Sequence, residues 1–314
     1  MKLLIRLAQS FGVILLVSTI GCGSRALTPG EGYEQVPGGR VWYRIVGHGT
    51  RTPLLVLHGG PGVPSTYLKP LAALADERPV VFYDQLGAGK SDHPTDTTLW
   101  RLERFVDEVA RVREALGLRE VHLYGHSWGG MLAVDYLLTH PTGVKSLILA
   151  GAPINVRRTQ HDDDSLKATL PDSIATVLAR HERDGTCDAP DYQAATVVYL
   201  QHFFARRLPW SVDLDSAIAG YDPTASIAMS GPCGRSDPFI AYDRTDRLGE
   251  IATPTLFIVG AYDPTTPAAM RLYQSHLPGS EVVVLDGFGH LPMQDDPERY
   301  NSEIRDFLRR VEAR

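Results

Sequence analysis

The stretch VHLYGHSWGG, residues 121–130, decides the fold of this chain. It opens with an apolar, β-prone run, its centre has the spacing Gly-x-Ser-x-Gly, and residues 131–140 continue with helical composition. This order of strand, sharp turn and helix makes Ser127 a candidate nucleophile, because such a turn exposes the serine hydroxyl. Gly125 and Gly129 fit, since side chains there would collide where strand and helix nearly touch. The spacing alone is weak evidence, because Gly and Ser are common in ordinary turns.

Strand and helix patterns alternate around this stretch. Residues 54–57, 80–83 and 144–150 are short apolar runs typical of buried strands, and the segments between them have helical spacing. Alternation of this kind predicts an α/β fold with a mostly parallel, doubly wound sheet and helices on both faces. Residues 40–46 are predicted as an antiparallel edge strand, and the Gly- and Pro-rich residues 25–40 as a tether leading into it.

The alternation stops after residue 153. Residues 154–248 are polar, with helical pieces and no convincing buried strand, which predicts an inserted helical cap. Strand patterns return at 255–260 and 281–285, and an amphipathic helix is predicted at 297–311. We therefore divide the chain into a signal segment (1–22), a first core part (23–153), the cap (154–248) and a second core part (249–314).

The N-terminus has the layout of a secretory signal. Lys2 and Arg6 precede the apolar run 11–20, and small residues follow it. The run is shorter than the roughly 20 residues of a membrane-spanning helix. Cys22 directly follows Gly21, which resembles a bacterial lipoprotein signal whose cysteine is lipidated; an ordinary signal peptide with an incidental cysteine is the alternative. The sequence thus predicts an exported protein, periplasmic or at the cell surface, and leaves membrane anchoring through Cys22 open.

Composition narrows the class of protein. The 314 residues are 43% hydrophobic, enough for a sizeable core, and the net charge of −6 without a basic run argues against a nucleic-acid partner. Cys187 and Cys233 both fall in the cap; in an oxidising compartment they could form a disulfide or remain free thiols, and their spacing does not decide. The histidines lack metal-ligand spacing and no dinucleotide fingerprint is present, so we predict no metal and no cofactor.

Two further reactive side chains follow the returning strands. Asp263 comes after the strand at 255–260, and His290 comes after the strand at 281–285. Loops at the carboxyl ends of parallel strands share one edge of the sheet, so Ser127, Asp263 and His290 are expected to converge. An imidazole can take the proton of a serine hydroxyl near neutral pH, and a carboxylate behind it fixes its tautomer. The order Ser, Asp, His also fits this architecture.

Each of these positions has a plainer alternative. Asp263 before a proline could be an ordinary turn residue, and His290 an ordinary loop histidine. Asp84, Asp135 and Asp286 are other acids that could serve, although Asp286 is too near His290 in the same loop to be favoured.

Two other histidines, His126 and His58, lie next to glycine-rich turns. His126 is predicted to be structural, because the side chain next to a residue on a tight turn points away from its neighbour. His58 is predicted to brace the glycine-rich loop that follows it.

Several motifs together carry a family resemblance. HGGPG at 58–62, DQLGAGKS at 84–91 and GHSWGG at 125–130, with Asp263 and His290, resemble the proline iminopeptidase branch of the α/β-hydrolase superfamily over most of residues 33–313. The resemblance implies an α/β-hydrolase fold with an inserted helical cap. It also implies Ser127 as nucleophile, His290 as base and Asp263 as the acid that orients the base.

The same resemblance implies an oxyanion hole. It would consist of the backbone amides of Gly60 and Trp128, and Pro61 cannot contribute because it has no amide hydrogen. The predicted substrate is a small peptide, amide or ester.

The cap departs from the family pattern. An aminopeptidase needs carboxylates to bind the substrate ammonium, and the family takes one from a Glu in a Gly-Pro-x-Glu-Phe stretch. Here residues 231–239 read GPCGRSDPF, without that Glu. Asp237 could substitute, as could Asp213, Asp215 or Asp222, but with 37 acidic residues in the chain a plain surface charge is the stronger interpretation of each one.

The sequence therefore predicts an exported serine hydrolase, foremost an aminopeptidase that releases N-terminal proline or another small residue through an acyl-enzyme. A carboxylic ester or lactone hydrolase using the same three residues is the alternative within enzymes. A non-catalytic ligand-binding protein is the alternative from another class.

Overall fold

The computed structural model describes residues 27–234 and 239–314. Within these ranges one sheet has the strand order β1-β2-β4-β3-β5-β6-β7-β8. The strands are β1 (Gly30–Val36), β2 (Gly39–Val46), β3 (Leu54–Leu57), β4 (Val80–Tyr83), β5 (Val121–His126), β6 (Val144–Ala150), β7 (Thr255–Gly260) and β8 (Glu281–Leu285). Strand β2 is antiparallel to both β1 and β4, and the other neighbours are parallel.

Helices connect the parallel strands and form the cap. They are α1 (Leu102–Ala115), α2 (Trp128–Leu137), α3 (Val156–Lys167), α4 (Asp172–Asp184), α5 (Pro190–Phe203), α6 (Val212–Ala219), α7 (Thr224–Ser230), α8 (Pro267–His276), α9 (Pro292–Asp295) and α10 (Pro297–Glu312). A 3-10 segment, Ser65–Asp76, follows β3. No helix of the described ranges is long and apolar enough to cross a membrane.

Two apolar layers cover the sheet. One joins α1, α2 and α8 to the strands, with Phe105 and Tyr273 fully buried, and the other joins the 3-10 segment and α10, with Leu68 and Phe307 fully buried. Because helices cover both faces, the central strand β3 is buried at every residue and reads as a continuous apolar run. The prediction of a mostly parallel sheet with helices on both faces is confirmed.

The start of the sheet differs from the prediction. Residues 30–36, predicted as part of a tether, form the edge strand β1, and β2 is the second strand rather than the edge. Strand β1 is mostly exposed and only Val36 is buried, so its sequence lacks the apolar alternation that marks a half-buried strand. Its pairing along the length of β2 holds it in place.

Helices α3 to α7 lie between β6 and β7 in the chain. Leu178 of α4 and Phe203 of α5 belong to a small apolar cluster within this group. Cys187, after α4, and Cys233, after α7, are joined by a disulfide with 5.8 Å between their Cα atoms. The disulfide links segments 46 residues apart in the chain. The predicted signal segment, with Cys22, and the candidate Asp237 lie outside the described residues.

Candidate active site

Ser127 occupies a strained turn between β5 and α2. Its φ of 53° and ψ of −124° lie in a region that residues with side chains rarely adopt. The strand and helix approach so closely that a Cβ on Gly129 would lie 2.2 Å from the carbonyl oxygen of Leu57, and one on Gly125 2.3 Å from that of Gly129. The Ser127 amide donates to the Ala150 carbonyl at 2.9 Å, which fixes the turn against β6.

His290 and Asp263 form a buried pair. The imidazole Nδ1 lies 2.9 Å from Oδ1 and 3.0 Å from Oδ2 of Asp263, and both residues are buried. The Thr265 amide donates to Oδ1 at 2.7 Å, so the carboxylate is held from behind. A carboxylate can only accept here, so Nδ1 carries the proton and Nε2 keeps its lone pair. That lone pair is the group that can accept a proton from a serine hydroxyl.

Gly151 leaves room for this pair. Its φ is +51°, and a Cβ would lie 2.6 Å from Asp263 Oδ2 and 2.8 Å from His290 Nδ1. A side chain at this position would therefore push the carboxylate and the imidazole apart.

We expect Gly151→Ala to lower kcat/KM by about tenfold to a hundredfold, because displacing reacting groups by about 1 Å costs that much. Gly185→Ala is the matched control, since Gly185 also has a positive φ, +69°, but open space around its Cβ position. Steady-state kinetics and thermal melting of both variants separate crowding at the site from backbone strain. Equal activity in the two variants would contradict the role given to Gly151.

The other candidate acids lie elsewhere. Asp84 accepts hydrogen bonds from the backbone amides of Ser65 and Lys90, at 2.8 and 2.9 Å, and so shapes its own loop. Asp135 accepts the Tyr242 hydroxyl at 2.6 Å. Asp286 is exposed at the end of β8.

Among these acids, the described contacts bring only Asp263 to His290, as the order of the motifs predicts.

His58 braces the glycine-rich loop. Its Nε2 accepts from the Gln85 amide at 2.8 Å and its Nδ1 donates to the Gly59 carbonyl at 2.8 Å. The side chain of Gln85 in turn donates to the His58 carbonyl and accepts from Trp128 Nε1 at 2.9 Å. Burial lowers the pKa of His58, which keeps it neutral and suited to one donated and one accepted hydrogen bond.

The predicted oxyanion hole uses the backbone amides of Gly60 and Trp128. Gly60 has a φ of +116° and lines the same cavity as Ser127, and Pro61 follows it through a cis peptide bond. Trp128 is the first residue of α2, so its amide has no partner within the helix and carries the positive end of the helix dipole.

A cavity of about 430 Å³ lies between the core and the cap. Ser127, His290 and Gly60 line it from the core, and residues of α5, α6 and their linker line it from the cap. The cap residues are mostly apolar: Thr196, Leu200, Phe204, Ala205, Trp210, Leu214, Ala217, Ile218 and Tyr221. This volume is in the range of small-molecule sites.

The cap also holds the backbone of the His290 loop. The His290 amide donates to the Phe203 carbonyl and the Leu291 amide to the Phe204 carbonyl, each at 2.8 Å. The Phe204 ring contacts the His290 imidazole at an interplanar angle of 57°, with 4.6 Å between ring centroids. The end of α5 therefore belongs to the structure that supports the imidazole.

The candidate amine-binding acids do not meet in the cavity. Asp213 pairs with Lys69 at 2.8 Å and Asp215 is exposed, whereas Leu214, between them, turns toward the cavity. Asp222 lies 2.7 Å from His93 Nδ1, and its amide donates to the carbonyl of Gly62.

The sequence interpretation missed the apolar cap residues and Tyr67, whose hydroxyl contacts His126. An amphipathic pattern in α6 could have indicated Leu214 and Ala217. The segment 65–76, STYLKPLAALAD, contains no signal that distinguishes Tyr67. In the described ranges, no three His, Cys, Asp or Glu side chains converge as a metal ion requires.

Comparison with known proteins places this geometry in a family. The family model described as the alpha/beta hydrolase fold matches residues 52–297. A proline iminopeptidase from Heyndrickxia coagulans is 41% identical over 286 residues, which cover 90% of this chain and 99% of that protein. The chain belongs to the proline iminopeptidase family. The crystal structure of the family member from Mycobacterium smegmatis has a TM-score of 0.82 and 31% identity, covering 90% of this chain and 98% of that one. The structure of VinJ has a TM-score of 0.86 and 30% identity, covering 90% and 100%.

Proposed function

We propose that this protein is a serine aminopeptidase that releases N-terminal proline or another small residue from peptides or amides. The observation that carries the proposal is the Asp263-paired imidazole of His290 on the same cavity as Ser127, in a chain of the proline iminopeptidase family. The names of the relatives support the substrate class.

The proposed reaction gives each of these residues one role. His290 Nε2 takes the Ser127 hydroxyl proton as the serine oxygen bonds to the substrate carbonyl carbon, and the amides of Gly60 and Trp128 donate to the resulting oxyanion. Asp263 stabilises the imidazolium. The imidazolium then protonates the leaving amine, and water attacks the acyl-enzyme with His290 again as base, which regenerates Ser127.

Ester or lactone hydrolysis is the second candidate. It is favoured by the cavity lining, in which no described residue carries a carboxylate that could bind an ammonium. For the aminopeptidase we assign amine binding to a cap acid. Asp237 is the candidate nearest to the family motif, and Asp213 and Asp215 are less suited because they lie off the cavity.

A fluorophosphonate probe tests whether the protein is a serine hydrolase, and a substrate panel tests whether it is an aminopeptidase. We expect the probe to modify Ser127, identified by peptide mass spectrometry, and the protein to cleave proline or alanine anilides faster than short acyl esters of matched leaving group. Inert anilides with rapid ester turnover would reject the aminopeptidase in favour of the esterase. A folded protein that the probe does not modify would reject a serine hydrolase and favour the ligand-binding alternative.

We also propose that the protein is exported, to the periplasm or cell surface. The signal-like layout of residues 1–22 supports this, as does the disulfide, since disulfides persist mainly in oxidising compartments. Lipidation of Cys22 would add a membrane anchor; mass spectrometry of the mature N-terminus separates a lipidated Cys22 from a simple cleavage.

A further inference from the structure

His126 and Tyr67 form a buried chain of hydrogen bonds beside the site. The Gly59 amide donates to the Tyr67 hydroxyl at 2.7 Å, the hydroxyl lies 2.8 Å from His126 Nδ1, and His126 Nε2 lies 2.9 Å from the His290 carbonyl oxygen. Both side chains are almost completely buried. The reaction described above uses neither of them.

The direction of each hydrogen bond is determined by its partners. The His290 carbonyl can only accept, so His126 Nε2 carries the proton and Nδ1 has the lone pair. Nδ1 therefore accepts from the Tyr67 hydroxyl, whose oxygen accepts from the Gly59 amide. Burial, and then the nearby His290 imidazole, lower the pKa of His126 well below its usual value, so the neutral form that this arrangement needs is the stable one.

These hydrogen bonds connect the three loops that meet at the site. Gly59 precedes Gly60, the assigned oxyanion donor; His126 precedes Ser127; and the accepting carbonyl belongs to His290 itself. The packing leaves little slack, because a Cβ on Gly59 would lie 2.9 Å from the Tyr67 hydroxyl and 3.1 Å from Ser127 Cβ. The His126 and His290 rings are also in contact, with 4.6 Å between centroids.

We infer that Tyr67 and His126 are positioning residues. They hold the oxyanion loop (residues 58–62) and the His290 loop in fixed positions around Ser127. This inference rests on the proposed serine hydrolase function. The pair fixes the backbone of His290, whereas Asp263 fixes its side chain. Without the pair, the donors of the oxyanion loop and the imidazole would each be free to shift relative to the serine oxygen, which weakens transition-state contacts more than substrate binding.

Tyr67→Phe tests the inference, because it removes the hydroxyl and keeps the ring. We expect kcat, and the rate of fluorophosphonate labelling at Ser127, to fall by about tenfold to a hundredfold. KM should change by less than about threefold, since Tyr67→Phe keeps the ring that lines the cavity and removes only a hydroxyl already bonded to Gly59 and His126. His126→Phe should show a similar loss, and the double variant should be no worse than the poorer single variant, because the two residues act as one unit.

Tyr300→Phe is the matched control. It removes another buried tyrosine hydroxyl, which is bonded to Tyr124 at 2.8 Å and, among the described residues, belongs to neither the cavity lining nor the Gly59–Tyr67–His126 hydrogen bonds. Labelling should then proceed at the wild-type rate. A Tyr67→Phe rate within about twofold of wild type, or multiplying effects in the double variant, would overturn the inference while leaving the proposed function intact. Failure of the wild type to label would overturn both.

Discussion

Replacing Ser127 with alanine is expected to lower kcat by about a millionfold, whichever acyl donor the enzyme accepts. No other atom at the turn can form the acyl-enzyme, and the remaining rate comes from the oxyanion amides and from substrate binding alone. The backbone conformation at φ 53° tolerates alanine about as well as serine, so the fold should persist. Single-turnover kinetics on the best substrate of the panel measures the loss.

Ser146→Ala is the control for this variant. Ser146 is fully buried in β6 and its hydroxyl lies 2.7 Å from His122 Nδ1, near the start of β5 and β6, whereas Ser127 follows the end of β5. It should cost stability and keep kcat near the wild-type value. Activity of the Ser127 variant above about one per cent of wild type, in material free of contaminating hydrolases, would contradict the nucleophile assignment.

Asp263→Asn is expected to lower kcat by about ten thousandfold with little change in structure. The Thr265 amide, 2.7 Å from Oδ1, would hold the new amide oxygen in that position. The NH₂ group would then occupy the place of Oδ2, 3.0 Å from His290 Nδ1, so one of the two acceptors would become a donor facing Nδ1–H, with only the oxygen at Oδ1, 2.9 Å away, still able to accept. The imidazole relieves this contact by moving its proton to Nε2, where it can no longer accept from Ser127. The negative charge that stabilises the imidazolium would also be lost.

Asp135→Asn and Asp286→Asn are the comparisons, because the sequence left both acids open. Asp135 pairs with Arg244 at 3.0 Å and Asp286 is exposed, so neither change alters the tautomer of His290. The large loss of kcat should therefore occur only in the Asp263 variant. If Asp286→Asn were the variant that lost activity, the acid would have to be reassigned.

Much of this molecule follows from its sequence because its central strands are buried on both faces. The apolar runs at β3, β5 and β7 predict strands. Because loops meet at the carboxyl edge of a parallel sheet, the strand order also predicts that Ser127, Asp263 and His290 lie at the same edge. Strand β1 was missed because it buries almost nothing and depends on pairing, which periodicity does not report.

The cap was the harder part to predict. The sequence suggests Asp213 and Asp215 of α6 as acids that could bind the substrate amine. The packing of the helix against the core instead presents Leu214 and Ala217 to the cavity. Which face of a short cap helix points inward depends on its docking, and that is set by contacts distant in sequence. The chain from Gly59 through Tyr67 to His126 spans three separate segments and carries no local signature.

The hydrogen bonds from His290 and Leu291 to the carbonyls of Phe203 and Phe204 limit how freely the cap can be exchanged. A chimera that grafts the cap of another hydrolase onto this core keeps the amide donors of His290 and Leu291. Each amide that is buried without an acceptor lowers the stability of the folded protein. We therefore expect recombination at the cap boundaries to favour inserts that present two carbonyls at the end of the helix corresponding to α5. Although the cap is a continuous insertion, its backbone carbonyls are needed by the core. New specificities are therefore better sought by substitutions on the inner face of the existing cap.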